Sequence, residues 1–183
     1  RKRRIINAAL AVFDKFGIEK TTMEEIAVEA GFGKATLYYY YPSKDDVYSE
    51  IMVRGWKSLW EEVEEAILND SPPKKKIFEI LDQVCQVVKS DDNLYKFLFS
   101  APHYMSEVEE PEWKTYQERL YSVLQSTIEQ GCKEGDFIDL NPGVIMKAIG
   151  GLFHELLLGK KDSLTEKEFE MMISNLILLK STT

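Results

Sequence analysis

Apolar residues recur at helical spacing along almost the whole chain, and the residues that interrupt them are ones that start or stop helices. Ile5, Ile6, Ala9, Leu10, Val12, Phe13 and Phe16 follow i, i+3, i+4, i+7 spacing and meet Gly17, a helix-ending residue. Thr22 with Glu25 three positions later forms a capping-box pattern, followed by Ile26, Ala27 and Ala30 on one face and Gly31 as the stop. Phe32-Gly33 makes a tight turn, and 34–40 reads as a third short helix ended before Pro42, since a residue preceding proline is pushed out of helical angles. Ser43 with Asp46 opens a longer helix carrying Val47, Ile51, Trp56, Leu59, Trp60, Val63 and Ile67, which Ser71-Pro72-Pro73 closes. The same periodicity predicts helices over 74–89, 93–104, 111–134, 142–159 and 165–181. Phe137 to Leu140 is too short to count as a strand. The expected fold is all-α: a three-helix head over 1–44, joined by a long helix to a helical body over 45–183.

Charge separates these two parts. Residues 1–44 carry eight Lys/Arg against five Asp/Glu, whereas 45–183 carry fifteen against twenty-six, so the formal charge of −8 arises in the body. A globally acidic protein still attracts phosphate if one face carries the cations, because charges beyond a Debye length of about 8 Å are screened. The 173–179 stretch is broken by polar residues and falls far short of the roughly 20 apolar residues of a membrane span. Two cysteines, Cys85 and Cys132, make no disulfide framework or CxxC pair, which points to a reducing cytoplasm and no membrane association. The chain begins at Arg1 rather than Met, so further residues are expected to precede it.

Two short helices joined by a glycine-containing turn, with a helix before them, is the helix-turn-helix pattern, in which the later helix enters the major groove of double-stranded DNA. Hydroxyls and ammonium groups suit the phosphate walls of that groove, and side chains at the helix N-terminus meet base edges. Lys34, Thr36, Tyr39, Tyr40 and Lys44 supply such donors. The start of the helix at Ser43 also offers free N–H groups where a phosphate could sit. Thr22-x-x-x-Ile26-Ala27-x-x-Ala30-Gly31, followed by Thr36-Leu37-Tyr38-x-Tyr40-Tyr41-Pro42-Ser43-Lys44, resembles the N-terminal signature of the TetR/AcrR family of one-component transcription regulators. The resemblance covers about residues 4–50. It implies DNA contacts from Lys34, Ala35, Thr36, Tyr39, Tyr40 and Lys44, plus Thr22 on the preceding helix, with Leu37, Tyr38 and Tyr41 packed inward. Gly33 stands where the family commonly has a capping Ser or Thr, and Ala35 where Gly is common; a Gly cap costs only a few tenths of a kcal/mol. A phosphate-binding loop is excluded, because G-x-x-x-x-G-K-[ST] would need Gly at Val28 and Ser or Thr at Ala35.

Architectural resemblance implies that the body encloses an effector and pairs its last two helices across a homodimer. Ile149, Phe153 and Leu156 on one helix and Phe169, Met172, Ile173 and Leu176 on the next supply apolar faces for that interface, and Gly150-Gly151 allows close approach. Aromatic residues crowd the middle of the body. Trp60, Phe97, His103, Tyr104, Trp113, Tyr116 and Tyr121 are the expected lining of a pocket for a small, largely hydrophobic, uncharged or cationic effector. Cys85, His103, Cys132 and His154 lie one per helix with no close pair, so no metal site and no cofactor is expected. No Ser-His-Asp or Cys-His constellation is legible, which argues against an enzyme. The expected function is a ligand-responsive regulator, a repressor, binding a palindromic operator as a dimer. The alternative is a helical protein-interaction module using the acidic body.

Overall fold

The structure is a computed structural model that describes residues 1–100, 111–159 and 164–177. Among these residues nine helices follow one another: α1 (Lys2–Phe16), α2 (Met23–Ala30), α3 (Lys34–Tyr40), α4 (Lys44–Leu68), α5 (Pro73–Ser90), α6 (Asp92–Ser100), α7 (Glu112–Glu134), α8 (Pro142–Leu158) and α9 (Glu166–Ile177). No sheet forms among the described residues. The predicted ends at 104 and 181 lie outside them.

The helix boundaries have local causes. Gly17 (φ 78°), Gly31 (φ 64°) and Gly135 (φ 79°) adopt positive φ after α1, α2 and α7, where a side chain would be strained. Asn141 caps α8 by accepting from the Gly143 N–H at 2.9 Å, with Pro142 in the first turn. Thr165 and Glu168 form a further capping box at α9, with Glu168 accepting from the Thr165 N–H at 2.9 Å and its hydroxyl at 2.6 Å.

Two compact units result. The first comprises Arg1–Leu59 with Val88–Tyr116, and the second Trp60–Val87 with Gln117–Thr183. In the first, α1 packs on α2 and α6, and α2 on α3. Its centre is aromatic: Phe97 stacks on Phe13 at 5.5 Å between centroids and meets Tyr48 edge-on at 5.8 Å, and Trp56 meets Phe99 at 5.5 Å. In the second unit, Val63, Ile77, Ile80, Leu124, Ile128, Phe137, Ile145 and Ile173 are buried. Phe153 and Phe169 join α8 to α9 at 6.2 Å.

Gly131, inside α7, is buried because the Phe137 ring lies where its Cβ would be. Ala is normally favoured over Gly in a helix by about 1 kcal/mol. Overpacking costs about 1–3 kcal/mol and outweighs that gain. Gly131→Ala is therefore expected to lower the midpoint of thermal unfolding, and the loss should disappear when Phe137→Leu opens the space; a stabilised single variant would refute the packing.

Candidate nucleic-acid interface

The second helix of the head is held at its start by its own side chains. Thr22 Oγ1 accepts from the Glu25 N–H at 3.3 Å, and Glu25 Oε2 accepts from the Thr22 N–H at 2.8 Å and from its hydroxyl at 2.9 Å. The backbone N–H and hydroxyl of Thr22 hold the Glu25 carboxyl below its usual range. Thr22 is exposed, and its hydroxyl proton is committed to Glu25.

Gly31 then turns the chain. A Cβ there would lie 2.5 Å from an Arg4 guanidinium nitrogen, and Arg4 in turn covers the Phe32 ring at 5.1 Å. Gly33 is the N-cap of α3 and gives no side-chain bond. With only seven residues, α3 is too short to persist alone and is fixed by what it buries. Leu37 is fully buried and Tyr41 nearly so. Burial, with the Glu50 charge adding, pushes the Tyr41 phenol up to about 12. Among the described residues the Tyr41 hydroxyl finds no hydrogen-bond partner, and Lys2 Nζ lies 5.6 Å from the ring centroid.

The four tyrosines divide as the helix turns. Tyr39 is 82% exposed and Tyr40 half-buried, their rings edge to face at 5.2 Å. Ala35 is exposed and Thr36 half-buried. Tyr38, expected to pack inward, is 38% exposed instead, with Lys34 Nζ 5.7 Å from its ring. The reason is angular: with Leu37 aimed at the core, the next residue is rotated about 100° around a 3.6-residue turn.

The cations are less available than their number suggests. Lys34, exposed at the start of α3, is ion-paired with Glu24 on the first turn of α2. The hydrogen bond between them, reinforced by their charges, raises the Lys34 ammonium and lowers the Glu24 carboxyl from their ordinary values. Lys44 Nζ donates to the carbonyls of Ile18, Glu19 and Thr21 at 2.7, 3.1 and 3.0 Å. An ammonium has three protons, so these contacts use all of them. Lys44 thus holds the loop before α2. The start of α4 is also occupied: Asp46 Oδ2 accepts from the Ser43 N–H at 2.9 Å and its hydroxyl at 2.6 Å, while Ser43 Oγ accepts from the Asp46 N–H at 3.1 Å. With Asp45 beside it, this first turn is acidic, against the expectation of a phosphate seat there. Sequence reasoning missed Glu24, because an acid in the first turn of a helix reads as a simple complement to the helix dipole.

The residues expected around an effector are divided between the two units. Phe97 is buried between Phe13 and Tyr48 in the first unit, where Trp113 is also buried and Tyr116 half-buried. In the second unit Trp60 is half-buried with the Arg119 guanidinium 5.9 Å from its ring, and Tyr121 is 43% exposed. His103 and Tyr104 lie outside the described residues. A hollow of about 120 Å³ lies instead between α5 and α9, lined by Phe78, Leu81, Asp82, Cys85, Phe169 and Ile173 among others. Among the described residues, no group of three or more His, Cys, Asp or Glu is placed to hold a metal ion.

Of the residues expected at a dimer interface, Ile149, Phe153, Phe169 and Ile173 are already buried within one protomer. Leu156 is half-buried, Met172 is 38% exposed, and the Leu176 side chain lies outside the described residues. Met171 and Val144 are more than half exposed, and among the described residues nothing beyond the helix's own neighbouring backbone lies within 4 Å of where a Cβ at Gly150 or Gly151 would stand.

A capped helix, a glycine turn and a short anchored helix with its outer face open make the head a helix-turn-helix, the DNA-binding unit of transcription regulators. The family model for bacterial regulatory proteins of the tetR family matches residues 5–51. The HTH-type transcriptional regulator YhgD of Bacillus subtilis is 25% identical over 142 residues, covering 78% of this chain and 74% of that protein. The icaADBC biofilm operon negative regulator IcaR of Staphylococcus aureus is 28% identical, covering 97% of this chain and 78% of that protein. Among solved structures, AibR in complex with isovaleryl coenzyme A and operator DNA superposes with a TM-score of 0.83 at 19% identity, covering 96% of this chain and 97% of that one. Residues 5–51 carry the DNA-binding domain of the TetR family of transcriptional regulators. The chain's relatives are regulators rather than enzymes. No described helix is long and apolar enough to cross a membrane.

Replacing Lys44 by Met keeps the aliphatic stem and removes its three hydrogen bonds. The expected result is a loss of about 1–3 kcal/mol in denaturant unfolding, with an unchanged salt dependence of DNA binding. A salt slope reduced by about 0.9 at unchanged stability would make Lys44 a phosphate contact instead.

Proposed function

We propose that this protein is a cytoplasmic, ligand-responsive repressor that binds a palindromic operator as a homodimer, with 1–44 as the DNA-binding head and 45–183 as the effector-binding and dimerisation body. The observation that carries the reading is the outer face of α3, where Ala35, Thr36, Tyr39 and Tyr40 surround a helix anchored from behind by Leu37 and Tyr41. Tyr39 and Tyr40 fit phosphate positioning through their hydroxyls, with Thr22 doing the same from α2 by exchanging its Glu25 partner. Lys34 and Ala35, at the N-terminal end of α3, fit base-edge contacts, the alanine methyl against a thymine methyl. Repression and effector control are supported by IcaR, a negative regulator, and by AibR, solved with an acyl coenzyme A and operator DNA.

In the proposed dimer, α8 and α9 meet their symmetry mates through the flank that the protomer leaves open: Val144, Leu156, Met171 and Met172 around the Gly150-Gly151 notch. Helix α4 contributes residues to both compact units. An effector that repacks the body thus acts on the head through α4, and two heads held off the ~34–36 Å spacing of successive major grooves no longer bind together.

Selection from a random duplex library, followed by binding of the winner across salt concentrations, tests the reading. A palindrome with steep salt dependence is the expected outcome, with Ala35→Gly changing the preferred bases and Tyr39→Phe weakening all duplexes alike. No enrichment would favour an interaction module. The dimer surface has its own test. Gly151 is exposed, with no described side chain within 4 Å of where its Cβ would stand, so Gly151→Arg should leave the helical circular dichroism and unfolding midpoint near wild type while shifting sedimentation to a monomer. An intact dimer would place the interface elsewhere.

A further inference from the structure

We propose that Glu24 sets the specificity of this head by holding Lys34, the leading cation of α3, so that the lysine is released to DNA only where a base edge rewards it. This rests on the reading that α3 enters the major groove. Glu24 is the one member of the pair that no expectation of DNA binding would place there, since it puts a carboxylate where phosphates must approach. Both side chains are well exposed, 49% for Glu24 and 63% for Lys34, so the pair stands on the surface rather than in the core. Its neighbour Glu25 is committed to the Thr22 cap, which leaves Glu24 as the acid of the first turn of α2 that bridges to α3. Lys34 Nζ also lies 5.7 Å from the centroid of the Tyr38 ring. The shifts of both groups agree with a pair formed across the two helices.

Counterion accounting gives the consequence. A lysine that leaves a carboxylate for a phosphate exchanges one anionic partner for another and leaves that carboxylate unpaired beside the DNA. The exchange therefore gains little of the counterion release that drives binding to arbitrary duplex. A guanine facing Lys34 offers the O6 and N7 acceptors as well, an attraction that non-operator sequence supplies only by chance. The carboxylate thus penalises non-operator DNA more than operator.

The test compares wild type, Glu24→Gln, Lys34→Gln and the double variant on two duplexes of equal length, the one recovered by library selection and a scrambled one, over a range of salt concentrations. Glu24→Gln keeps the Thr22–Glu25 cap, and circular dichroism melts confirm the fold. The expected result is scrambled-duplex binding about two- to fivefold tighter at low salt, as loss of an exposed pair allows, with a salt slope steeper by about 0.9 for each phosphate engaged. Operator binding should change less, so the specificity ratio falls, and the gain should vanish in the Lys34→Gln background. Unchanged slope and affinity in Glu24→Gln would overturn the proposal. So would a gain that persists without Lys34, because the carboxylate would then act by direct repulsion. Wild-type protein that binds neither duplex at any salt concentration would overturn both the proposal and the regulator reading beneath it.

Discussion

The burial of Leu37 and Tyr41 is the contact on which the head depends. A seven-residue helix has at most a few internal hydrogen bonds and does not form in water alone. Its side-chain cap is missing, since Gly33 offers no hydroxyl. What holds it is two side chains four positions apart, on one face, driven into the first unit. Every outward residue of α3 then has its direction set by those two. Rotating Leu37 out of the core would turn Ala35 and Tyr39 away from the exposed face together.

Much of the head was legible because its determinants are local. The Thr22–Glu25 and Ser43–Asp46 boxes, the glycines after α1 and α2 and the helical spacing of apolar residues involve groups within a few positions of one another. Inward packing of Tyr38 was carried over from the family resemblance, whereas the helical angle set by Leu37 turns it outward. Lys34 and Lys44 show a further limit. Counting cations gives the sign of a surface but not its partners, and the partners of these lysines lie on other segments, with the Lys44 acceptors more than twenty residues away.

The body was legible as helices and much less as surfaces. An aromatic residue on an amphipathic helix gives the same periodic signal whether it faces a core or a cavity, so Phe97 and Trp113 read as pocket lining although both are packed. The same ambiguity affects α8 and α9. Their apolar residues cover more than one face, and periodicity does not say which face meets its own protomer. Ile149, Phe153, Phe169 and Ile173 take the internal one. What they leave open includes two glycines with no described side chain near them, a feature that hydrophobicity does not register.

Lys44 connects these levels. It is the first residue of α4, and its ammonium holds three carbonyls in the 18–21 loop that leads directly into the Thr22 cap of α2. Charge-assisted hydrogen bonds to several carbonyls at once define a position more tightly than a single contact does, because sliding along one bond strains the others. The start of α4 is thus tied to the loop before α2, where Thr22 and Glu24 sit, and the Glu24–Lys34 pair joins α2 to the leading end of α3. The resemblance places this lysine at the DNA surface, whereas its hydrogen bonds tie the helix shared by both units to the loop that opens α2.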